Sequence, residues 1–518
     1  MQKNSRAQQA LDLIAESTSL RREKHYEEAL GKLGEASALY PGFLPLLVEK
    51  GIVLFESGRP EEAVDCFDQF LKTEGNAKVG ELRDTCLQYL LANCDRGLVE
   101  NRENVEALLK RAEILQRLRR HEDAIRDYNA ALGMRMNEMA TILNRRANAL
   151  LDLDRPEEAL DGYNRALELA PANAALLFNR ANVLQKLGLM DEAIAGYDRA
   201  LELRPDLAEA KMERSHCRLS MGDFQRGFRE YESRWQTAQL RQVNCGSSQP
   251  RWLGKEDLRR KTILLWAEQG YGDTIQFLRY VPLVAQFAGT TVLRVPAVLQ
   301  RLAKSLECRV SIITNAEPLP PHDFHCPLMS LPLALDTTPG CIPAAIPYLG
   351  AQSLEVQNFH GGFGSRARPR IGLAWAGRRK EPLNHTRDMR LEMLRPLLDL
   401  DADFISLQKE VPAQDRPLIE SMGQISRPAE EFRDFAETAA LMENLDMVIS
   451  VDSAVAHLAG ALGKPVWIML RYSGEWRWRL SRNDCPWYPT ARIFRQKVPG
   501  DWAGLVSDIV QELMTKWI

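Results

Sequence analysis

The sequence predicts an α + α/β chain: a helical solenoid over residues 1–240, then two Rossmann-like α/β halves at 241–355 and 369–518. Three observations predict it. Composition shifts abruptly, with six prolines and one tryptophan (Trp235) before residue 241 and twenty-one prolines and nine tryptophans after it. The first part, rich in Ala, Leu, Glu and Arg, repeats itself with a period near 34 residues. From Lys261 onward, short β-branched or aromatic runs alternate with helical stretches. The polar stretch Gln236 to Pro250 joins the two regimes.

The repeat is visible residue by residue. Ala112, Ala147, Ala181 and Ser215 are each followed twelve residues later by Ala124, Ala159, Ala193 and Gly227. Four residues further on stand Tyr128, Tyr163, Tyr197 and Tyr231. Gly51, Ala63 and Phe67 keep the same phase. Small residues let two helices cross closely, the aromatic fills the gap to the next unit, and Pro171 and Pro205 stand where each second helix must stop. This pattern resembles the tetratricopeptide (TPR) repeat and implies a TPR superhelix of about six units. Residues 76–104 are out of register and read as a degenerate unit. A TPR stack presents a concave wall suited to a peptide or protein segment. Arg145 with Asn148, and Asn179 with Asn182, are three apart and share a helix face. They read either as an acceptor-binding wall whose carboxamides meet an extended guest or as solvated helix face.

In the second part, Thr262–Trp266, Thr291–Val295 and Val310–Ile313 read as buried strands. After a Gly- and Arg-containing linker, Ile371–Trp375, Phe404–Leu407, Met447–Ser450 and Val466–Met469 read as a second set. Strands alternating with helices argue for parallel sheets, in which ligands lie beyond the carboxyl ends of the strands. The loops after each strand are therefore the candidates. The first is Glu268-Gln269-Gly270-Tyr271-Gly272-Asp273, where Gly270 and Gly272 allow a tight turn and close approach of a ligand. Asp273 has two readings, a helix N-cap or a carboxylate that takes a proton from an acceptor hydroxyl. The loop after the first strand of the second set carries Arg378, Arg379, Lys380, His385, Arg387 and Arg390, a cationic cradle for a diphosphate. Gln408 and Lys409 follow the next strand. After the third comes a helix capped by Asp452 or Ser453 and stopped by Gly463, its N-terminus an anion site. Ser453 and His457 share a face there, and His457 reads either as a ligand contact or as a packed histidine.

The runs Lys261–Tyr280 and Asp434–Arg495, above all Asp446-Met447-Val448-Ile449-Ser450-Val451-Asp452-Ser453-Ala454-Val455-Ala456-His457-Leu458-Ala459-Gly460 and Trp476-Arg477-Trp478, resemble the catalytic half of bacterial TPR-fused GT-B glycosyltransferases. That family is related to the lipopolysaccharide heptosyltransferases. In domain plan it is similar to protein O-GlcNAc transferase, and it includes flagellin glycosyltransferases. The resemblance implies a GT-B pair of domains and an inverting transfer from a nucleotide sugar. It implies Asp273 as catalytic base, with Asp452, Ser453, His457 and the basic loop holding the donor's diphosphate and sugar. The acceptor would be a Ser or Thr hydroxyl of a protein captured by the repeats, a flagellin-like surface protein among the candidates. Two departures bear on the donor: Ser453-Ala454 stands where the heptosyltransferases carry Thr-Gly, and the basic loop does not reproduce their lysine placement. Two alternatives remain, a TPR scaffold with a degenerate GT-B part and an enzyme acting on a glycolipid.

Other classes are excluded or unneeded. With 67 basic against 70 acidic side chains the net charge is −3, which gives no field for nucleic acid. No apolar run reaches the length of a membrane span, and the opening segment reads as helix rather than signal peptide. Nine cysteines without a CxxC pair fit reduced thiols and a cytoplasmic location. No metal cofactor is expected: Asp399, Asp401 and Asp403 precede a strand, at the wrong edge of the sheet. The cluster His322-Asp323-Phe324-His325-Cys326 reads as a loop between prolines rather than as a zinc site.

Overall fold

The computed structural model describes residues 2–73, 75–134, 138–360, 368–377, 387–423, 425–426, 431–480 and 482–517. Its packing divides the chain into two compact units, 1–176 and 177–518, with the division inside the first turn of helix Ala174–Lys186.

Unit 1 is helical. The paired helices are Gln2–Arg22 with Tyr26–Leu39, Leu44–Glu56 with Pro60–Thr73, Val105–Arg117 with His121–Leu132, and Met139–Asp152 with Pro156–Leu169. The alanines that set the repeat (112, 124, 147 and 159) are fully buried at the crossings. A Cβ on Gly51 would meet the Phe67 ring at 2.5 Å, and one on Gly162 would meet Ala147 Cβ at 3.2 Å. Overfilling such a contact costs about 1–3 kcal/mol, which is why small residues recur there. The out-of-register stretch folds as one 24-residue helix, Ala77–Glu100, capped by the Asn76 side chain. A single helix between pairs explains the slipped period.

Unit 2 holds the remaining repeats, Ala174–Lys186 with Met190–Leu203 and Ala208–Met221 with Phe224–Tyr231, and two parallel sheets. The first sheet contains β1 (Thr262–Trp266), β2 (Thr290–Val295), β3 (Ser311–Thr314) and β4 (Phe324–Pro327), in the order β3-β2-β1-β4. The second contains β5 (Arg370–Ala374), β6 (Asp403–Ser406), β7 (Ile425–Ser426), β8 (Met447–Val451), β9 (Val466–Leu470), β10 (Asp484–Cys485) and β11 (Tyr488–Arg495), in the order β10-β11-β9-β8-β5-β6-β7. Among the described residues only the β10–β11 pairing is antiparallel. Every residue of β5, β8 and β9 is buried, as expected for strands covered on both faces.

One correction and one further packing feature arise here. The segment read as a loop at His322–Cys326 contributes the edge strand β4, with Ile263 opposite Phe324 and Leu265 opposite Cys326. His325 Nδ1 accepts from the Trp266 indole at 3.2 Å, and among the described residues no three His, Cys, Asp or Glu side chains converge to hold a metal. The last helical pair, moreover, is built into the α/β part. Phe224 stacks on Trp487 at 5.9 Å, Phe228 meets Trp476 edge-on at 5.7 Å, and both rings enter the main core. Among the described residues no helix is long and apolar enough to cross a membrane.

Candidate active site

The loop after β1 meets the helix after β8. Gly270 precedes the short helix Tyr271–Phe277, and its N–H donates to Asp273 Oδ2 at 3.1 Å. Asp273 therefore caps its own helix from the third position, and its side chain stays about one-fifth exposed. Neither glycine adopts a left-handed φ. The tight-turn explanation for Gly270 and Gly272 thus gives way to another. A Cβ on Gly272 would stand 2.8 Å from His457 Cδ2 and 3.5 Å from Ala454 Cα, so the absence of a side chain at Gly272 admits the helix Ala454–Ala461.

That helix opens at Ser453, whose Oγ accepts from Val455 N–H at 3.2 Å and lies 3.0 Å from Ser450 Oγ. Asp452 lies one residue outside the cap and is buried. Burial and the neighbouring Glu475 push its carboxyl up, while Arg387 and Arg477 pull the other way. The buried Trp478 indole N–H faces it without completing a hydrogen bond. His457 is a packed histidine. It is 4% exposed, its ring stacks on Trp478 at 5.0 Å, and its Nδ1 lies 2.9 Å from Tyr488 Oη. Burial, reinforced by Arg477, Arg279 and Arg387, holds it well below the usual histidine range, so it is neutral at pH 7. Its Nε2 stands 4.0 Å from Asp452.

The basic loop is described only in part: Arg378, Arg379 and His385 lie outside the described residues. Arg387 folds over Gly377, where a Cβ would meet its Nη2, and its buried Nε has no hydrogen-bond partner among the described residues. Asp388 closes this loop by accepting from Gly377 N–H at 2.8 Å. Gln408 supports the loop: its carboxamide accepts from Ala376 N–H at 3.2 Å and donates to the carbonyls of Ala376 at 2.9 Å and Glu410 at 3.1 Å, which engages both N–H groups on backbone. Lys409 is exposed and donates to the Phe432 carbonyl.

Several residues quoted from the sequence as motif carried no assigned role in the site until the structure placed them. Arg477, on the turn Trp476–Trp478, pairs with Asp273, donates to Gln276 Oε1 at 2.8 Å and pairs with Glu475 at 2.8 Å. These acids hold its guanidinium above the usual arginine range despite burial. Burial acts to raise Glu475, but Arg477, His216, Arg471 and Arg387 outweigh it and hold the carboxyl below the usual range. Beneath the loop, Tyr231 Oη accepts from Gln269 at 3.0 Å. This repeat-register tyrosine, which elsewhere serves its own repeat, here supports the loop that carries Asp273. Its neighbour Arg234, fully buried, pairs with Glu232 and with Glu268 at 3.1 Å. Burial pushes Glu268 up to about 7 against the pull of Arg234.

The residues proposed as an acceptor wall are largely engaged by the repeats themselves. In unit 1, Arg145 pairs with Glu113, and Asn148 Oδ1 accepts from Tyr163 Oη. In unit 2, Asn182 Oδ1 and Gln185 Oε1 both accept from Tyr197 Oη at 2.7 Å. Asn179 is half-buried on the same helix. Unit 1 also carries a groove of about 750 Å³ bounded by Gly31, Gly34, Ala38, Lys50 and Arg59, away from Arg145 and Asn148.

Residues 433–499 match glycosyltransferase family 9 (heptosyltransferase), and residues 147–188 and 174–207 match the TPR and tetratricopeptide repeat families. The chain thus carries TPR repeats and, nearer its end, a segment similar to glycosyltransferase family 9. The matched segment holds Asp452, Ser453, His457 and Arg477 but begins well after Asp273, which lies on the other half. The protein FlbA of Caulobacter vibrioides is 25% identical over 319 residues, 57% of this chain and 53% of FlbA. The chain thus spans about half the length of that curated relative. Among solved structures, MamA is 17% identical with a TM-score of 0.27, covering 36% of this chain and 92% of its own. A tetratricopeptide repeat protein from Parabacteroides merdae is 19% identical with a TM-score of 0.28, covering 45% and 94%.

Proposed function

We propose that the chain is a glycosyltransferase that moves a sugar from a nucleotide-sugar donor to a Ser or Thr hydroxyl of a protein held by the repeats. The observation that carries this reading is the contact of the Gly270–Asp273 loop with the N-terminal half of helix Ala454–Ala461, beyond the carboxyl ends of β1 and β8. A partly exposed carboxylate thereby lies beside the N-terminus of a helix, and that helix falls within the segment matching a glycosyltransferase family. Asp273 takes the proton of the acceptor hydroxyl while its oxygen attacks the anomeric carbon. The bond from that carbon to the donor's phosphate oxygen breaks, with inversion, and the nucleoside diphosphate departs. Arg387 and the helix N-terminus face the charge that develops on it, and such preorganised donors are the main electrostatic contribution. Charge is thereby met without a metal, and the reaction belongs in the cytoplasm, where nucleotide sugars are made.

The test is release of nucleoside diphosphate from a panel of nucleoside-diphosphate sugars by the full chain with its co-purified partner. Turnover by the wild type and a loss of at least about 100-fold in Asp273→Ala are expected. Equal, background release by both would overturn the reading and favour a scaffold without turnover.

A further inference from the structure

We propose that Arg477 is a donor-binding residue that alternates between two anions, holding Asp273 in this structure and transferring to the donor's diphosphate when it binds, which frees Asp273 to act as base. The inference rests on the nucleotide-sugar reading of this cleft. Both oxygens of Asp273 are engaged: Oδ2 receives the Gly270 backbone N–H at 3.1 Å and Oδ1 the Arg477 guanidinium. An acceptor hydroxyl approaching this carboxylate meets the bulky guanidinium on the side of Oδ1 and must share an oxygen that already has a donor. The Gly270 contact is fixed by the helix start, so Arg477 is the partner able to leave.

Arg477 has somewhere to go. It reaches from the second sheet's half to Asp273 and Gln276 of the first, more than two hundred residues away in sequence. The same guanidinium acts on Asp452 and His457 at the start of helix Ala454–Ala461. Arg387 acts on these two groups as well and on Glu475, so both guanidiniums contribute positive potential at this helix start. Two buried donors near them, Arg387 Nε and Gln276 Nε2, have no partner among the described residues. A guanidinium fork matches phosphate as well as carboxylate, and a diphosphate carries more charge than Asp273. Glu475 on Nη1 is a second tether, which keeps the side chain in the cleft while Nη2 changes partner.

The exchange orders the reaction. With the donor absent from the helix N-terminus, the base is occupied, so an acceptor hydroxyl arriving first is not deprotonated. Donor before acceptor is the expected sequence.

The experiment is calorimetric titration of the full chain with ADP, UDP, GDP and CDP in turn, followed by a double-mutant cycle on the one that binds. Asp273→Asn should tighten binding about fivefold or more, since Arg477 no longer has to leave a carboxylate. Arg477→Gln should weaken it about tenfold. In the Arg477→Gln background, Asp273→Asn should change affinity less than about twofold, because the competition has been removed. Unchanged or weaker binding by Asp273→Asn overturns the proposal. So does an equal gain with and without Arg477, which would reveal simple charge repulsion. Arg477→Lys, with an intermediate affinity expected, serves where the glutamine variant fails to fold. If no nucleoside diphosphate binds the wild type, the nucleotide-sugar reading itself falls, and this inference falls with it.

Discussion

Gly270 and Gly272 stand two residues apart in one loop and should respond very differently to alanine. At Gly272 the added Cβ would stand 2.8 Å from His457 Cδ2, about 0.6 Å short of the 3.4 Å at which ordinary contact begins. The ring cannot step aside, because it is stacked on Trp478 and bonded to Tyr488. The loop must therefore withdraw and take Asp273 with it. Overpacking of this kind costs about 1–3 kcal/mol, a fall of about 1–4 °C in the unfolding midpoint of a unit this size. A displacement of about half an ångström at a reacting group costs about tenfold in turnover. At Gly270 the Cβ would meet only Asp273 Oδ2 at 3.2 Å, with an ordinary φ of −64°, so Gly270→Ala should stay within about 1 °C of the wild type. The assays are thermal unfolding followed by circular dichroism and nucleoside-diphosphate release. His457→Ala in the Gly272→Ala background should recover part of the lost stability relative to the sum of the single changes, since the clashing ring is gone. A Gly272→Ala protein as stable and active as Gly270→Ala would refute the claim that this glycine exists for helix approach.

Three further outcomes are expected. Tyr197→Phe should cost about 1–2 kcal/mol, because two acceptors, Asn182 and Gln185, lose one hydroxyl, and Tyr163→Phe, with one acceptor, should cost less; denaturant titration of each checks this. Glu268 has a folded pKa raised to about 7, so the native state binds its proton more tightly than the unfolded chain does. Its contribution is full below the unfolded value near 4.5 and is lost as pH rises through 7, an effect on the order of 3 kcal/mol. The melting difference between Glu268→Gln and wild type should accordingly grow in the variant's favour from pH 5 to pH 8. A chelator such as EDTA should leave sugar transfer unchanged within about twofold, since the proposed reaction has arginines and a helix end meet the phosphate charge; metal-restorable loss would contradict this.

What was legible in the sequence followed local periodicity. The 34-residue repeat placed the helices because each turns on residues twelve and sixteen apart, and its alanines and tyrosines are buried as that spacing requires. Fully apolar runs gave β1, β5, β8 and β9, whose residues face packing on both sides. Some strands escaped notice. β4 carries His325 at an edge that needs one ladder only, and β11, between β10 and β9, begins Tyr488-Pro489 and is interrupted by Arg492. The candidate loops were legible because ligand sites lie after strand ends. The partners within them were not, since Arg477 reaches Asp273 across 204 residues and no spacing rule connects the two. Gln408 shows the converse limit: a polar residue after a strand has the right address, but only geometry shows that its carboxamide serves the Ala376 backbone. Tyr231 was legible as the fourth repeat tyrosine, whereas its exchange of a repeat partner for Gln269 depends on the α/β part packing beside it.

The central claim is that the cleft glycosylates a protein bound to the repeats. Intact-mass spectrometry of the protein that co-purifies with the full chain, from cells carrying wild type or Asp273→Ala, tests it most directly. The account predicts a sugar-sized mass increase on the partner with the wild type and its absence with Asp273→Ala. A partner of unmodified mass, bound equally by both, would contradict it.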